Sequence, residues 1–442
     1  MTELDAALAG TRYAAYTYAY PHKTAYRPIA PSLPLAPLWA GERRDALFLY
    51  AHIPFCEQRC GFCNLFTRPV PPADLVAAYL DTLARQVAQV RRALDDGGTP
   101  YGFARAAIGG GTPTLLDAGQ LARVLALLRT LGVGAATPLS VETSPETALP
   151  DRLAVLVGGG ADRISMGVQS LDEAECRAVG RPQATADVHA ALRALRDAAP
   201  ATVNVDLMYG LPGQSAASWS ATLAGVLAYR PEEVYLYPLY VRPLTTLGRR
   251  GAPSFDAVRI ALYEQGRATL LAAGYAQVSL RMFRQVAAGH APGPVYRCQD
   301  DGMLGLGCGA RSYTRGVHYA SEWAVGARGV RGIIDRWIQR PDAELAVADH
   351  GFMLDADEQR RRWLILSLLS DPGLDLAAYR ARFGGDALAD FAELAALAPR
   401  GLATLTADHL ALTPAGHARA DALGPWLYSA PVRARMAEYA LQ

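Results

Sequence analysis

The sequence predicts an α/β fold in which parallel strands alternate with helices. Between residue 45 and about residue 241, six short apolar runs alternate with stretches rich in alanine and leucine, such as residues 72–94 and 171–197. This alternation is typical of parallel βα units joined by helical crossovers. The six predicted strands read FLYAHI, RAAIGGG, PLSVETS, DRISMGVQ, TVNVDLMYG and EVYLYPLYV.

Length and composition favour a globular protein of more than one domain. At 442 residues the chain is too long for one ordinary core, so we expect two domains and an appendage. The formal net charge of +1 argues against a nucleic-acid partner. Residues 1–10 do not resemble a signal peptide and no apolar run reaches membrane-spanning length. We therefore expect a cytoplasmic protein without a membrane segment.

Residues 11–40 are too irregular to predict a strong helix or strand, and we expect them to form an arm that packs on the main domain. Five tyrosines stand among prolines in this segment: Tyr13, Tyr16, Tyr18, Tyr20 and Tyr26. These rings serve either as plain aromatic packing or as one wall of a substrate cavity.

Three cysteines follow the first predicted strand with the spacing C-x3-C-x2-C, at Cys56, Cys60 and Cys63. Clustered thiolates favour a soft metal centre, either an iron–sulfur cluster or zinc. A cubane normally takes four cysteines, so three would leave one iron open to a small molecule. A zinc site with His52 as the fourth ligand is less favoured, because His52 lies upstream on the strand and no second ligand pair follows. A disulfide is less favoured still, since closely spaced thiols are typical of a reducing compartment.

The strand and cysteine loop YAHIPFC, followed by the remaining two cysteines, closely resemble radical S-adenosylmethionine (SAM) enzymes of the HemN-like branch, related to oxygen-independent coproporphyrinogen III oxidase. The resemblance implies a partial (β/α)6 TIM-like barrel with an N-terminal arm and a C-terminal helical, winged-helix-like domain. It also implies a [4Fe–4S] cluster on Cys56, Cys60 and Cys63, which chelates SAM and cleaves it to a 5′-deoxyadenosyl radical. That radical abstracts hydrogen from a small-molecule or peptide substrate, and the electron comes from a donor such as flavodoxin or ferredoxin.

Polar and glycine residues end the predicted strands, and the carboxyl ends of barrel strands form the active face. GGGTPT, which ends the second strand, is similar to the family segment that holds the amino-acid end of SAM. Acids after a strand, such as Glu142 and Asp206, alternatively cap a following helix. Arg181 matches the position of a bidentate clamp for the SAM carboxylate. The resemblance assigns SAM binding to Tyr50, Phe62, Gly110, Gly111, Thr112, Glu142, Gln169, Arg181, Asp206 and Met208.

After residue 241 the pattern changes. Residues 256–273 predict an amphipathic helix, and residues 296–312 concentrate glycines in a segment that resembles the family's GxGxGAxS turn. Those glycines alternatively only permit positive φ at a sheet edge. We interpret Cys176 as a buried small side chain, whereas the roles of Cys298 and Cys308 stay open.

We expect four regions. They are an N-terminal arm over residues 1–42, the partial barrel with its extension over 43–315, a linker over 316–354 and a C-terminal domain over 355–442. The last contains HLALTPAGHARAD, which predicts a short strand, turn and helix similar to a winged helix. Because the chain is nearly neutral, we expect the C-terminal domain to form a lid that covers the substrate rather than to bind DNA.

Two departures from the family pattern bear on the reaction. The oxidases carry a further cysteine two residues after the third, where this chain has Leu65. The haem chaperones carry HNxxYW before the glycine turn, where this chain reads Val295, Tyr296, Arg297, Cys298 and Gln299. HemN-like methyltransferases and cyclopropanases, which use two SAM molecules, require neither feature. Methyl or methylene transfer is therefore a candidate beside a tetrapyrrole oxidase and a haem chaperone. The second SAM or a bulky substrate would lie against Tyr237, Pro238 and residues 299–309.

Overall fold

The computed structural model describes residues 2–96, 98–251, 256–286 and 297–440. All six predicted strands are present, parallel and adjacent in chain order, which confirms the predicted α/β class. They are β2 (Leu47–Ile53), β5 (Phe103–Gly110), β6 (Leu139–Thr143), β7 (Ala161–Gln169), β8 (Thr202–Tyr209) and β9 (Glu233–Pro238).

Helices that cross over between these strands bury their apolar faces on the sheet, and two further helices follow β9. They are α3 (Ala73–Asp95), α4 (Ala118–Thr130), α5 (Pro150–Gly158), α6 (Glu173–Ala178), α7 (Thr185–Ala198), α8 (Ala216–Leu227), α9 (Thr246–Arg249) and α10 (Asp256–Ala272). Asp117 begins α4 with a capping box, because its side chain accepts from the Gln120 amide. The predicted helical stretch 171–197 is two helices, since Gly180 adopts φ +65° between them.

The sheet continues beyond the six parallel strands on both sides. Its order in the described residues is β1-β15-β14-β13-β12-β2-β5-β6-β7-β8-β9-β11-β10, and β12 pairs parallel with β2. The sheet stays open, so the barrel is partial. The added strands are β1 (Arg27–Pro34), β10 (Tyr275–Gln277), β11 (Met282–Gln285), β12 (Met303–Leu306), β13 (Arg311–Tyr313), β14 (Val317–Ala320) and β15 (Val347–Met353).

Two expectations from the sequence need correction here. Residues 316–354 are a folded part of the main sheet rather than a linker, since they contain β14, α11 (Ala327–Ile338), α12 (Asp342–Leu345) and β15. The N-terminal arm also contains regular structure, namely α1 (Glu3–Ala9), β1 and α2 (Leu35–Ala40). The arm was hard to predict because β1 depends on pairing with β15, more than 300 positions along the chain.

The C-terminal region forms a small helical domain around a three-stranded antiparallel sheet, as a winged helix does. Its strands are β16 (Leu374–Asp375), β17 (Ala403–Leu405) and β18 (His409–Leu412). Its helices are α13 (Ala356–Leu368), α14 (Leu376–Phe383), α15 (Ala387–Asp390), α16 (Pro414–His417), α17 (Ala420–Trp426) and α18 (Ala430–Glu438). Its core is continuous with that of the barrel's second half. The C-terminal domain therefore packs directly against the barrel, beside the arm.

Among the described residues, no helix is both long and apolar enough to cross a membrane.

Candidate active site

A large cavity runs along the parallel strands, from residues at their beginnings such as Ala104 and Thr202 to residues at their carboxyl ends such as Gly110 and Gln169. Its volume is about 2120 Å³, and the arm and the C-terminal domain contribute to its walls. All thirteen residues that the sequence assigned to the cluster and to SAM line it: Tyr50, Cys56, Cys60, Phe62, Cys63, Gly110, Gly111, Thr112, Glu142, Gln169, Arg181, Asp206 and Met208. The sequence therefore selected residues from five parallel strands, the cysteine loop, the turn after β5 and the turn after α6, and the fold brings them to one space.

The cysteine loop is held in place by backbone hydrogen bonds at both ends and in the middle. Its start forms the short strand β3 (Phe55–Cys56), which pairs with β4 (Arg68–Pro69). The Gly61 amide donates to the Val179 carbonyl at 2.8 Å, and the Gly61 carbonyl accepts from the Leu247 amide at 3.0 Å. These contacts connect the loop to the turn after α6 and to α9, so the three thiols have a fixed backbone.

The glycine turn after β5 lies directly against the cysteine loop. A Cβ on Gly111 would stand 2.3 Å from the Phe55 carbonyl oxygen and 2.9 Å from Cys56 Sγ. A Cβ on Gly110, whose φ is +119°, would stand 2.5 Å from the ring of His52. Only glycine permits this approach, which brings the backbone of the turn against the Phe55 carbonyl and the Cys56 thiol.

The three thiols fit a shared iron–sulfur cluster. All three are free and partly accessible from the cavity. Burial, with the charges of Cys63 and Cys60 nearby, raises the pKa of the Cys56 thiol to about 12. Thiolates here would therefore depend on a bound metal centre for their stability. No three His, Cys, Asp or Glu side chains of the described chain approach closely enough to share one metal ion, whereas thiolates of a cubane bind different irons.

His52 is occupied by hydrogen bonds and does not fit a zinc ligand. Its Nδ1 lies 3.2 Å from the Tyr50 hydroxyl and its Nε2 lies 3.1 Å from the Phe66 carbonyl oxygen. Burial lowers the pKa of His52 to about 4, so the ring is neutral. The Gly309 backbone packs against the same ring, since a Cβ there would lie 3.1 Å from Nε2. His52 thus connects the first strand to the cysteine loop and the second glycine turn.

Arg181 lies between the cysteine loop and the end of β7. Its Nη1 donates to Cys60 Sγ at 3.3 Å, and its Nη2 donates to the Gly167 carbonyl at 2.7 Å. Its Nε donates to Gln183 Oε1 at 3.1 Å. The planar guanidinium is therefore fixed beside the thiols with its edge on the cavity, an arrangement that lysine could not reproduce.

The acidic residues at the strand ends face the cavity and do not cap helices. Glu142 accepts a hydrogen bond from the Gly110 amide at 2.9 Å, on the neighbouring strand. Asp206 accepts from Asn204 Nδ2 at 2.7 Å, and burial raises its pKa to about 6. Gln169 ends β7 with φ +68°, a conformation that turns it towards the cavity. The helix-cap alternative is therefore wrong for these positions.

Apolar side chains complete the wall next to the loop. Phe62 packs against a small cluster that contains Met208, Leu239 and Leu247. Leu65, at the position where the oxidases have a further cysteine, is 49% exposed and lines the cavity. No thiol is therefore present at that point.

The arm tyrosines both pack and line the cavity. Tyr13, Tyr20 and Tyr26 are buried. Four of the five rings also line the cavity, namely Tyr16, Tyr18, Tyr20 and Tyr26. The two alternatives for these rings are therefore both realised. The sequence did not identify the half-buried basic residues Lys23 and Arg311 on the same wall. Arg311 follows the second glycine turn, and an arginine directly after GxGxGA was the available signal.

The second glycine turn lies inside the sheet and not at its edge. Gly307 and Gly309, with φ +86° and +94°, connect β12 to β13. Cys308 and Cys176 are buried, and Cys298 is exposed at the surface but near the cavity wall. Val295 and Tyr296, which belong to the segment compared with HNxxYW, lie outside the described residues.

Comparisons with known proteins agree with this geometry. A family model of the radical SAM superfamily matches residues 50–224, and a model of the HemN C-terminal domain matches residues 354–418. The solved structure of coproporphyrinogen III oxidase (HemN) from Escherichia coli superimposes with a TM-score of 0.78 at 23% identity. It covers 93% of this chain and 96% of that one, which shows that the fold is shared.

Two relatives each match about 60% of the chain. The radical S-adenosyl methionine domain-containing protein 1 of Bos taurus, described as mitochondrial, is 34% identical over 61% of this chain and 61% of its own length. The haem chaperone HemW of Escherichia coli is 31% identical over 60% of this chain and 69% of its own length. The chain belongs to the radical SAM superfamily, in its HemN-like branch.

Proposed function

We propose that this chain is a radical SAM enzyme that acts on a small organic substrate held in the cavity. Membership of the superfamily implies a [4Fe–4S] cluster and SAM, and Cys56, Cys60 and Cys63 would hold the cluster. When bound, the cluster supplies the electron that cleaves SAM to methionine and a 5′-deoxyadenosyl radical, which abstracts hydrogen from the substrate. A small electron-transfer protein such as flavodoxin or ferredoxin would deliver that electron in a reducing, cytoplasmic compartment.

The observation that carries the proposal is that all thirteen residues assigned by the family resemblance line one cavity. Gly111 lets the turn after β5 approach Cys56 closely, and Glu142 is positioned by the Gly110 amide at 2.9 Å. Arg181 is fixed next to Cys60. These residues would orient the methionyl and ribose parts of SAM, while the arm and the C-terminal domain exclude bulk water.

The cavity has room for more than one SAM molecule. A typical ligand pocket has a volume of about 300–1,000 Å³, so a cavity of about 2120 Å³ also accommodates a bulky substrate or a second SAM. Tyr237 and Pro238 line it at the end of β9, and Tyr237 stacks on Tyr235 with ring centroids 5.9 Å apart. Methyl or methylene transfer from a second SAM at this face is our specific version of the proposal.

Anaerobic turnover of the reconstituted protein distinguishes the reactions. We expect 5′-deoxyadenosine with any productive substrate, and S-adenosylhomocysteine as well if a second SAM donates its methyl group. Chromatography with mass detection measures both products. Deoxyadenosine alone, with carbon dioxide released from coproporphyrinogen, would replace methyl transfer by an oxidase reaction. Absence of deoxyadenosine with a full cluster would instead favour a haem carrier.

Arg181 provides a matched test of SAM binding. Arg181→Lys should weaken SAM binding about tenfold, because one ammonium group cannot replace a planar fork with several donors. Arg177→Lys is the control, since Arg177 forms only an exposed pair with Glu173 on α6. Equilibrium dialysis of SAM measures both affinities. Equal affinity in parent and Arg181→Lys would show that the clamp lies elsewhere.

A further inference from the structure

One end of the cavity contains buried polar atoms without hydrogen-bond partners. They lie where the arm meets β13, β14 and the turn that follows β14. Within the described chain they are Tyr26 Oη, Arg311 Nη1, both ring nitrogens of His318 and Trp323 Nε1. All four residues line the cavity. Buried polar groups are almost always satisfied in folded proteins, so this concentration indicates a polar ligand.

The same end carries positive charge that no carboxylate balances. Lys23 Nζ lies 3.9 Å above the ring of Trp323, and the Arg311 guanidinium lies 4.7 Å from the ring centre of Tyr18. Arg362 donates to the carbonyls of Cys298 and Gln299. In the described ranges, none of these three cations forms an ion pair, and Arg311 and Lys23 instead repel each other.

Two other half-buried arginines of the cavity do contact a carboxylate. Arg163 and Arg284 both pair with Glu233, at 2.8 Å each. Water could satisfy the hydrogen bonds of the unbalanced end, but it could not neutralise its charge. An anionic ligand group would do both.

The geometry also limits the shape of that ligand. Tyr313 pairs with His318 across β13 and β14, and their ring centres are 4.4 Å apart. Tyr18 and Tyr26 approach from the arm. Burial, with Arg362 and Arg311 nearby, holds the pKa of His318 well below its usual value, so the ring is neutral and can donate one hydrogen bond. Flat aromatic walls favour a planar ligand body.

We infer that this end of the cavity is an oxyanion subsite, which binds a carboxylate or phosphate group carried on an aromatic or heteroaromatic substrate. Arg311 Nη1 is the main donor, Lys23 adds charge, and Tyr26 and His318 complete the hydrogen bonds. The inference rests on the proposed function, since it names the class of substrate that the enzyme would take. It implies that the acid group is held at β13, while the rest of the molecule reaches towards the cysteine loop.

The test uses the anaerobically reconstituted full-length protein and three probes: benzoate, phenyl phosphate and neutral benzamide. Ligand-observed NMR titration measures the affinity of each. We expect at least one anion to bind ten times more tightly than benzamide. Preference for benzoate would identify a carboxylate substrate, and preference for phenyl phosphate a phosphorylated one. Equal affinity for all three probes would overturn the subsite.

Two variants test whether Arg311 is responsible for the preference for anions. Arg311→Met should lower the affinity of the preferred anion about tenfold, to the level of benzamide. Arg315→Met is the matched control, because Arg315 lies four residues later and pairs with Glu42 away from the subsite. If circular dichroism shows that Arg311→Met does not fold, Lys23→Met takes its place, with a loss of about threefold. An unchanged anion preference in the folded variant would overturn the inference.

Iron content and deoxyadenosine formation are measured on the same samples. A parent protein that cleaves SAM but binds the three probes equally refutes the subsite alone. A parent that prefers anions but never cleaves SAM refutes the proposed function and supports the subsite.

Discussion

Arg281 and Arg311 are both arginines that stack on tyrosines of the N-terminal arm, yet they differ in what balances their charge. The Arg281 guanidinium lies 3.8 Å from the ring centre of Tyr16 and donates to both carboxylate oxygens of Asp421 at 2.7 Å. Arg311 stacks on Tyr18, but no carboxylate of the described chain contacts it. The first arginine has a carboxylate partner within the fold, whereas the second has no carboxylate partner among the described residues.

We therefore interpret Arg281 as a structural residue and Arg311 as a ligand-binding residue. Asp421 lies in the first turn of α17 and Arg281 directly precedes β11, so their pair connects the C-terminal domain to that side of the barrel. Tyr240 hydrogen bonds to both members of the pair. The Arg281 and Asp421 side chains are only 4% and 1% exposed. A buried charge without such a partner lowers the stability of the fold. We therefore expect it to be kept where a ligand binds it.

The largest expected effect comes from breaking the paired arginine. Asp421→Ala leaves Arg281 buried without a counter-charge, which should lower the free energy of unfolding by about 3–5 kcal/mol. Urea unfolding followed by circular dichroism measures the change. Asp5→Ala is the control: Asp5 pairs with Arg400 at the exposed surface, so its loss should lower the free energy of unfolding far less. Similar losses in both variants would mean that the interior pair has no special role.

The unpaired arginine should behave in the opposite way. Arg311→Met removes a buried charge with no carboxylate partner, so the free energy of unfolding should stay equal or rise by up to about 2 kcal/mol. The same denaturation experiment measures it, without added anions. A fall of more than about 1 kcal/mol would show that Arg311 is a structural residue after all.

The smallest effect concerns the tyrosines under the two cations. Tyr16→Leu should lower the free energy of unfolding by about 1 kcal/mol, because it removes a close cation–π contact with Arg281. Tyr18→Leu should cost less, since Tyr18 is 40% exposed and lies farther from its cation. The comparison is contradicted if Tyr18→Leu is the more damaging change.

What could be predicted from the sequence depended on whether the signal was local or came from distant parts of the chain. The six strands and the cysteine loop were predictable because their signals are local: apolar runs of strand length, and three cysteines within eight positions. The strand ends followed from them, since the carboxyl ends of parallel strands share one face.

The oxyanion subsite was not predictable, because its members come together only through long-range pairing. Lys23 reaches Trp323 three hundred positions away, and the wall between them depends on β1 joining β15. The stretch 316–354, expected to be a linker, supplies His318 and Trp323. Short antiparallel strands show only a weak alternation of apolar residues, so this extension of the sheet is difficult to predict from the sequence.

The central claim is that Cys56, Cys60 and Cys63 hold the cluster, and the iron content of cysteine variants tests it most directly. The control is present in the chain, because the remaining cysteines, Cys176, Cys298 and Cys308, are equal in number. After anaerobic reconstitution, the parent and the Cys176→Ala/Cys298→Ala/Cys308→Ala variant should each contain about four irons per chain. The Cys56→Ala/Cys60→Ala/Cys63→Ala variant should contain almost none. A full complement of iron in that last variant would contradict the account.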